Sequence, residues 1–399
     1  MNFKKNLKLI LSSVLVATMV FSLTGCQQNK EEKKTSVLEE KKDDKKDNKK
    51  TDKAYAKLKI GMLNIGSHKD TTGYTYAHVT GVKTMAANLG LSEDQIIYKD
   101  NVPDSMDVKS DAAVEKAIQE CIDEGCNIIF TTSFGYKSMT SKMAEKYPEI
   151  YFAHGSGDLC NGKNFIHYFG RIYQARYLSG IAAGLKTKTN KIGYVSAWGK
   201  ENAECTGGIN AFAMGVASVN PKAKVYVRVT NSWFDKKLEK EAAEWLIQRK
   251  ADVIAQHCDT AEPQIAAQKA NVYGVGYNSD MSKDAPNATL LSVVWNWSAF
   301  YTWAVQSVAN KTWSGENYFG GLKEGMVAIT DLASFNDKNT EAKIKEASDK
   351  ITSGKWDVFT GVIPTNVKGV TVGKEGTSLE DENIQFKINW YYENVVLTK

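Results

Sequence analysis

The 399-residue sequence carries none of the common short motifs of catalysis. There is no H-E-x-x-H for a zinc protease, no G-x-S-x-G elbow for a serine nucleophile, and no P-loop for a nucleotide phosphate. The nearest approach, "HGSGD" at 154–158, falls short of a nucleophile elbow. Five histidines, His68, His78, His154, His167 and His257, are scattered without metal-ligand spacing. Cysteine is sparse too. After Cys26 there are five, Cys121, Cys126, Cys160, Cys205 and Cys258, an odd number with no C-x-x-C. That argues against a metal site or a disulfide framework and for buried free thiols, with one disulfide left open. No metal or cofactor is expected.

Net charge is also missing from the body of the chain. The total is +5, of which the first 25 residues contribute +3 and residues 27–53, with ten lysines against eight acids, contribute +2. The remainder, from Ala54 onward, sums to zero. A neutral body excludes the basic footprint expected of a nucleic-acid-binding protein. Nor does any apolar run beyond the N-terminus reach the length needed to span a bilayer.

The N-terminus is informative. "MNFKKNLK" is a basic segment, "LILSSVLVATMVF" an apolar one, and "SLTGC" closes the pattern at Cys26. This is a bacterial lipobox, so residues 1–25 are expected to be a signal peptide and Cys26 the lipidated N-terminus. Residues 26–56 form a lysine- and acid-rich stretch with too little apolar surface to fold, which reads as a solvated tether. Weak association of its lysines with lipid headgroups is the alternative.

About 345 residues remain, more than one core holds comfortably, so two lobes are expected. From Lys57 the pattern alternates strand and helix. "LKIGMLNI", "QIIYKDNV", "NIIFTTSF" and "IYFAHG" are strands, and "DAAVEKAIQECIDEG" places Ala113, Val114, Ala117, Ile118, Cys121 and Ile122 on one helical stripe. Ser110 or Asp111 is the expected cap of that helix. The same alternation restarts with "KIGYVSA", "KVYVRVT", "DVIAQHC", "VYGVGYNS" and "ATLLSVVW", with helices starting near Gly207, Lys236 and Ala261. Consecutive βα units imply parallel sheets. The C-terminal "GVTVGKEGTSLEDENIQFKINWYYENV" reads as irregular strands.

In open α/β sheets, ligands bind beyond the carboxyl ends of the strands. Those ends deliver Tyr74, then Ser133 and Phe134 in "TTSFGY", Trp198 in "SAWGKE", Trp233 in "TNSWFD", Asp259 in "AQHCDT", Asp280 in "YNSD" and Trp295 in "VVWNW". Aromatic rings interspersed with carboxylates suit a flat, partly polar ring: two faces to stack and edge N–H groups to accept. Each residue also has a plainer reading, as lobe packing for the aromatics or as a helix cap for the carboxylates. The first loop, "GSHKDTTGYTYAH", carries tyrosines where a phosphate binder carries a glycine cradle.

These segments give the chain its resemblance. "GYTYAHVTG", "IIFTTSFGY", "YLSGIAAG", "GINAFAMGVASVNP", "SWFD", "ADVIAQHCD", "GYNSDMSK" and "GMVAITDLASF" occur in this order. From about residue 57 to 396 the chain resembles the basic-membrane-protein family of ABC-transporter substrate-binding lipoproteins, which bind purines or purine nucleosides. The resemblance implies a type I periplasmic-binding-protein fold, two Rossmann-like lobes joined by three crossovers near 166–170, 294–296 and 323–327. The lobes would comprise 57–167 with 296–325, and 168–295 with 326–399. It further implies that Tyr74 and Trp233 sandwich the ligand ring and that Asp280 accepts from its N–H groups, with Asp259, Ser133 and Phe134 as further contacts.

"FTTSFGY" with "DVIAQH" and "SDMSK" looks most like a branch that binds a free base such as adenine. In the nucleoside branch, asparagine, aspartate and lysine stand where this chain has Thr75, Asn278 and Trp295. The expected protein is therefore a monomeric, membrane-anchored receptor that passes a purine to an ABC permease on the extracytoplasmic face. A nucleoside receptor is the alternative ligand class. A purine-cleaving enzyme of the same fold and a sensor or co-receptor acting through a membrane partner are the alternative function classes.

Overall fold

Strands buried at every position belong in the middle of a layered structure, because a half-exposed strand alternates apolar with polar residues. Ile60–Leu63 and Ile128–Thr131 are each buried at all four positions. The computed structural model accordingly has parallel sheets covered by helices. It describes residues 54–398; the expected signal peptide, Cys26 and the tether up to residue 53 lie outside the described residues.

The chain first builds β1 (Ile60–Leu63), α1 (Gly73–Leu89), β2 (Ile96–Lys99), α2 (Val108–Asp123), β3 (Ile128–Thr131), α3 (Lys137–Lys146), β4 (Tyr151–Gly155) and β5 (Phe165–Gly170). A second series comes next: α4 (Ile172–Lys186), β6 (Lys191–Ser196), α5 (Ala203–Val219), β7 (Lys224–Val229) and α6 (Lys236–Gln248). It continues with β8 (Val253–His257), α7 (Glu262–Lys269), β9 (Tyr273–Asn278) and β10 (Thr289–Trp295). Then come α8 (Trp297–Ala309), β11 (Tyr318–Gly320), β12 (Val327–Ile329) and α9 (Thr340–Thr352). The tail adds β13 (Ile363–Pro364), β14 (Thr371–Val372), α10 (Asp381–Phe386) and β15 (Val395–Leu397).

One sheet runs β11-β5-β4-β3-β1-β2 and the other β12-β10-β9-β8-β6-β7-β15, so sequence order and sheet order diverge at three places. The chain leaves the first sheet after Gly170, returns after Trp295 when α8 packs on α1, and leaves again between Gly320 and Val327. Among the described residues of these two sheets only β12 runs antiparallel, against β10; every other ladder in them is parallel.

In the second lobe α4 and α5 pack backbone against backbone. A Cβ at Gly180 would run into the Phe212 carbonyl oxygen, and one at Gly215 into that of Tyr177. Any side chain at either position would force the helices apart. Near the crossovers, Trp297 is fully buried and lies between His78, with centroids 4.0 Å apart, and Trp295, at 4.7 Å. This stack ties α1 to the strand that carries the chain back to the first lobe.

Four local expectations are corrected. The cap of α2 is Asp107, which accepts from the Lys109 and Ser110 amides at 3.0 and 2.8 Å, whereas the Ser110 hydroxyl donates to the Pro103 carbonyl. The helix expected near Gly207 starts a turn earlier, at Ala203, with Asn202 accepting from the Cys205 amide. Cys121, Cys126, Cys205 and Cys258 are buried and free, but Cys160 is exposed. The tail is not all strand: α10 interrupts it, and β15 is an edge strand parallel to β7.

Candidate functional site

The carboxyl ends of the two parallel sheets face each other across a cleft of about 670 Å³. The lobes also touch. The Thr72 and Ser279 hydroxyls lie 3.4 Å apart, and Gly73, with φ +83°, brings the start of α1 to the Asp259 backbone. A Cβ at Gly73 would stand 3.5 Å from the Asp259 carbonyl oxygen, and its left-handed φ strains any L side chain.

Six residues singled out in the sequence come together here: Tyr74, Ser133, Phe134, Trp198, Trp233 and Asp259 all line the cleft. Tyr74 stands in the first turn of α1. Its hydroxyl donates to the Thr132 carbonyl at 2.8 Å and His78 meets its ring edge-on at 4.4 Å, so the ring is fixed at both ends. Trp233 is held by its backbone, whose carbonyl accepts from the Asp259 amide at 2.9 Å, and its ring meets His257 at 63°. Ser133 donates to Asp104 at 2.6 Å, while Phe134 is 41% exposed beneath the Lys137 ammonium.

Two expected residues stand elsewhere. Asp280 does not line the cleft; it caps the short turn at Met281–Lys283 and accepts from the Ser282 amide. Trp295 lies one layer behind. It packs against Phe169 with centroids 5.0 Å apart and donates from Nε1 to the Tyr277 hydroxyl at 3.1 Å, and both of those residues do line the cleft. It therefore shapes the cleft without reaching it.

The polar centre of the cleft is a pair of carboxyls. Asp259 is nearly buried and accepts from Asn278 Nδ2 at 2.7 Å; burial pushes its carboxyl up to about 8. Glu204, in the first turn of α5, is not among the residues expected from the sequence. Its Oε1 lies 3.2 Å from His257 Nε2 and 3.4 Å from the Tyr277 hydroxyl, and burial raises its carboxyl to about 7. His257 is itself held well below its ordinary value by burial, which favours the neutral imidazole beside Glu204.

Behind Tyr277 the guanidinium of Arg176, fully buried, sits 4.1 Å from the ring centroid and donates to the Gln256 carbonyl. It is the cation that pulls Glu204 back toward ionisation. Asp104, Asp158, Glu201, Glu204 and Asp259 line the cleft, and among the described residues no lysine, arginine or histidine does. Such a lining repels phosphate and carboxylate ligands and suits a neutral or cationic ring with donor groups on its edge.

Among the described residues, no cluster of three or more His, Cys, Asp or Glu could hold a metal ion. No helix of the described residues is long and apolar enough to cross a membrane.

Comparison with known proteins agrees with this geometry. Residues 57–358 match the family model Bmp, described as ABC transporter substrate-binding protein PnrA-like. A purine-binding protein of Brucella abortus is 33% identical over 342 residues, spanning 86% of this chain and 94% of that protein. A putative ABC transporter glucose-binding protein of Haloferax volcanii is 34% identical over 62% of each chain. Among solved structures, an ABC-transporter solute-binding protein of Conexibacter woesei superposes with a TM-score of 0.63 at 16% identity, covering 75% of this chain and 98% of that one. A counterpart from Aeropyrum pernix gives 0.62 at 17%, covering 75% and 92%. The fold is thus that of periplasmic binding proteins, and a solute receptor has no reaction to catalyse. The chain belongs to the Bmp family of ABC-transporter substrate-binding proteins, extracytoplasmic receptors that carry a small molecule to a membrane permease.

Proposed function

We propose that the ligand is a purine, a free base in preference to a nucleoside and adenine in preference to guanine, captured between Tyr74 and Trp233 for uptake. The observation that carries this reading is the conjunction of those two rings with the buried carboxyl of Asp259 in one cleft whose described lining holds no cation. A carboxyl held protonated both donates and accepts. It matches adenine's edge, where an amine N–H stands beside a ring nitrogen. Guanine's neighbouring N1–H and N2 amine call for an ionised carboxylate, which burial opposes. The absence of a lysine from the lining favours a base over a nucleoside, since the nucleoside branch carries one. Isothermal calorimetry with purine bases, nucleosides and glucose tests the assignment.

In the same reading the receptor stands on the outer face of a membrane, tethered through the lipidated thiol of Cys26 and acting as a monomer with its permease. "SLTGC" following an apolar run supports the anchor. Replacing Cys26 by serine is expected to abolish acyl labelling and release the protein from the membrane fraction or leave it unprocessed. Unchanged labelling of the Cys26→Ser protein would refute the anchor.

A further inference from the structure

The family model ends at residue 358, yet two residues of the cleft lining, Gln385 and Phe386, come from the tail beyond it. They sit at the end of α10, and the packing of that helix explains why they face the cleft. Ile384 and Ile388 are buried in a cluster with Tyr173, Ala211 and Phe359, which fixes the inner face of the segment on α4 and α5. Asn210 locks the residues after α10: its Nδ2 donates to the Trp390 carbonyl and its Oδ1 accepts from the Tyr392 amide, both at 2.8 Å. At the start of α10, Asp381 accepts from both Nε and Nη2 of Arg171, at the crossover between the lobes. Arg171 in turn donates to the Phe319 carbonyl on β11 of the first sheet.

The segment therefore rests on the second lobe and is clamped at the crossover. Phe386 completes the bridge, with its ring 6.2 Å from that of His167 on β5 of the first lobe. The Phe386 ring is 40% exposed and lines the cleft.

We propose that α10, through Phe386 and Gln385, is a third wall of the cleft and its specificity-determining element. In this role it limits ligand size, so that a base fits and the sugar of a nucleoside is excluded. This rests on the purine reading above. The wall adds bulk beside β5, where Phe386 faces His167, and Gln385 adds an amide that can donate and accept. A family core that accepts bases or nucleosides would thus be narrowed by a segment outside it.

The test measures adenine and adenosine binding to the whole protein by calorimetry, for wild type, Phe386→Ala and Phe386→Leu. Phe386 is partly exposed, so neither variant removes core packing. Phe386→Ala is expected to raise the adenosine-to-adenine affinity ratio at least tenfold, and Phe386→Leu, which keeps most of the bulk, to leave it near wild type. A ratio unchanged by Phe386→Ala overturns the wall. If wild type binds neither purine, the purine reading fails, and hydrogen exchange of the ligand-free protein then decides the wall separately. Amides at 156–158 and 167–169 are expected to exchange several-fold faster in Phe386→Ala, and equal rates there overturn the proposal.

Discussion

Trp233→Ala is expected to weaken purine binding about 5- to 150-fold. Stacking of one base on an aromatic side chain contributes roughly 1–3 kcal/mol, and Trp233 is placed to act through its face. It is only half-buried, so its removal empties part of the cleft and not the core of the second lobe. The loop keeps its place because the anchoring contact to the Asp259 amide comes from the Trp233 backbone. Folded Trp233→Ala protein, checked by circular dichroism, that binds adenine as tightly as wild type would reduce Trp233 to a packing residue. Tyr74 offers a less clean test, since its hydroxyl also holds the end of β3 through the Thr132 carbonyl.

The second large effect is expected at Asp259. Asp259→Ala removes the acceptor and donor for the ligand's edge and leaves Asn278 Nδ2 without its partner. Two neutral hydrogen bonds contribute about 0.5–1.5 kcal/mol each, so binding should fall about 5- to 150-fold. Asp259→Asn is expected to bind adenine better than Asp259→Ala, because an amide also donates and accepts. Equal loss in the two variants would show that an ionised carboxylate is needed.

The same residue gives the ligand-free protein a pH signature. The folded state holds Asp259 protonated up to about 8 and Glu204 up to about 7, while an unfolded chain releases both protons in the ordinary carboxylate range. Between those limits the folded state binds more protons than the unfolded one. The contribution of these two groups to stability is therefore greatest near pH 4 and declines as pH rises toward 8. Asp259→Asn should flatten this decline, and its melting temperature should gain on wild type as pH rises. Parallel melting curves for the two proteins across that range would contradict the raised value for Asp259.

How much of this was legible in the sequence depends on the kind of signal each residue leaves. Fully buried parallel strands print continuous apolar runs, so the βα alternation and the two sheets could be read from "NIIFTTSF" or "KIGYVSA". Strand ends then point at the cleft by topology alone, which brought Tyr74, Ser133, Phe134, Trp198, Trp233 and Asp259 together. The same rule failed where a residue at a strand end had another use. Asp280 spends its carboxylate on capping a turn, and Trp295 is drawn into the stack with Trp297.

Glu204 was hidden for a different reason. An acidic residue in the first turn of a helix is ordinarily explained by the helix dipole, and nothing in "KENAEC" tells that its side chain meets His257 and Tyr277. The tail left less still. A six-residue helix in a polar, glycine-punctuated stretch has no periodicity to find, so α10 and the placement of Phe386 emerge only from the packing of Ile384 and Ile388. The cap at Asp107, by contrast, takes amides only two and three residues on, so it was open to a local reading.

The most direct measurement is calorimetry of the wild-type protein with adenine, guanine, adenosine, guanosine and glucose. A ligand at 100 times its dissociation constant stabilises the fold by about 2.7 kcal/mol, so a thermal shift supplies an independent check on each titration. The expected result is saturable binding of purines only, tightest for adenine. Nucleosides binding at least tenfold tighter than their bases, a difference of about 1.4 kcal/mol, would contradict the free-base assignment. Binding of glucose with no response to any purine would contradict the purine cleft itself.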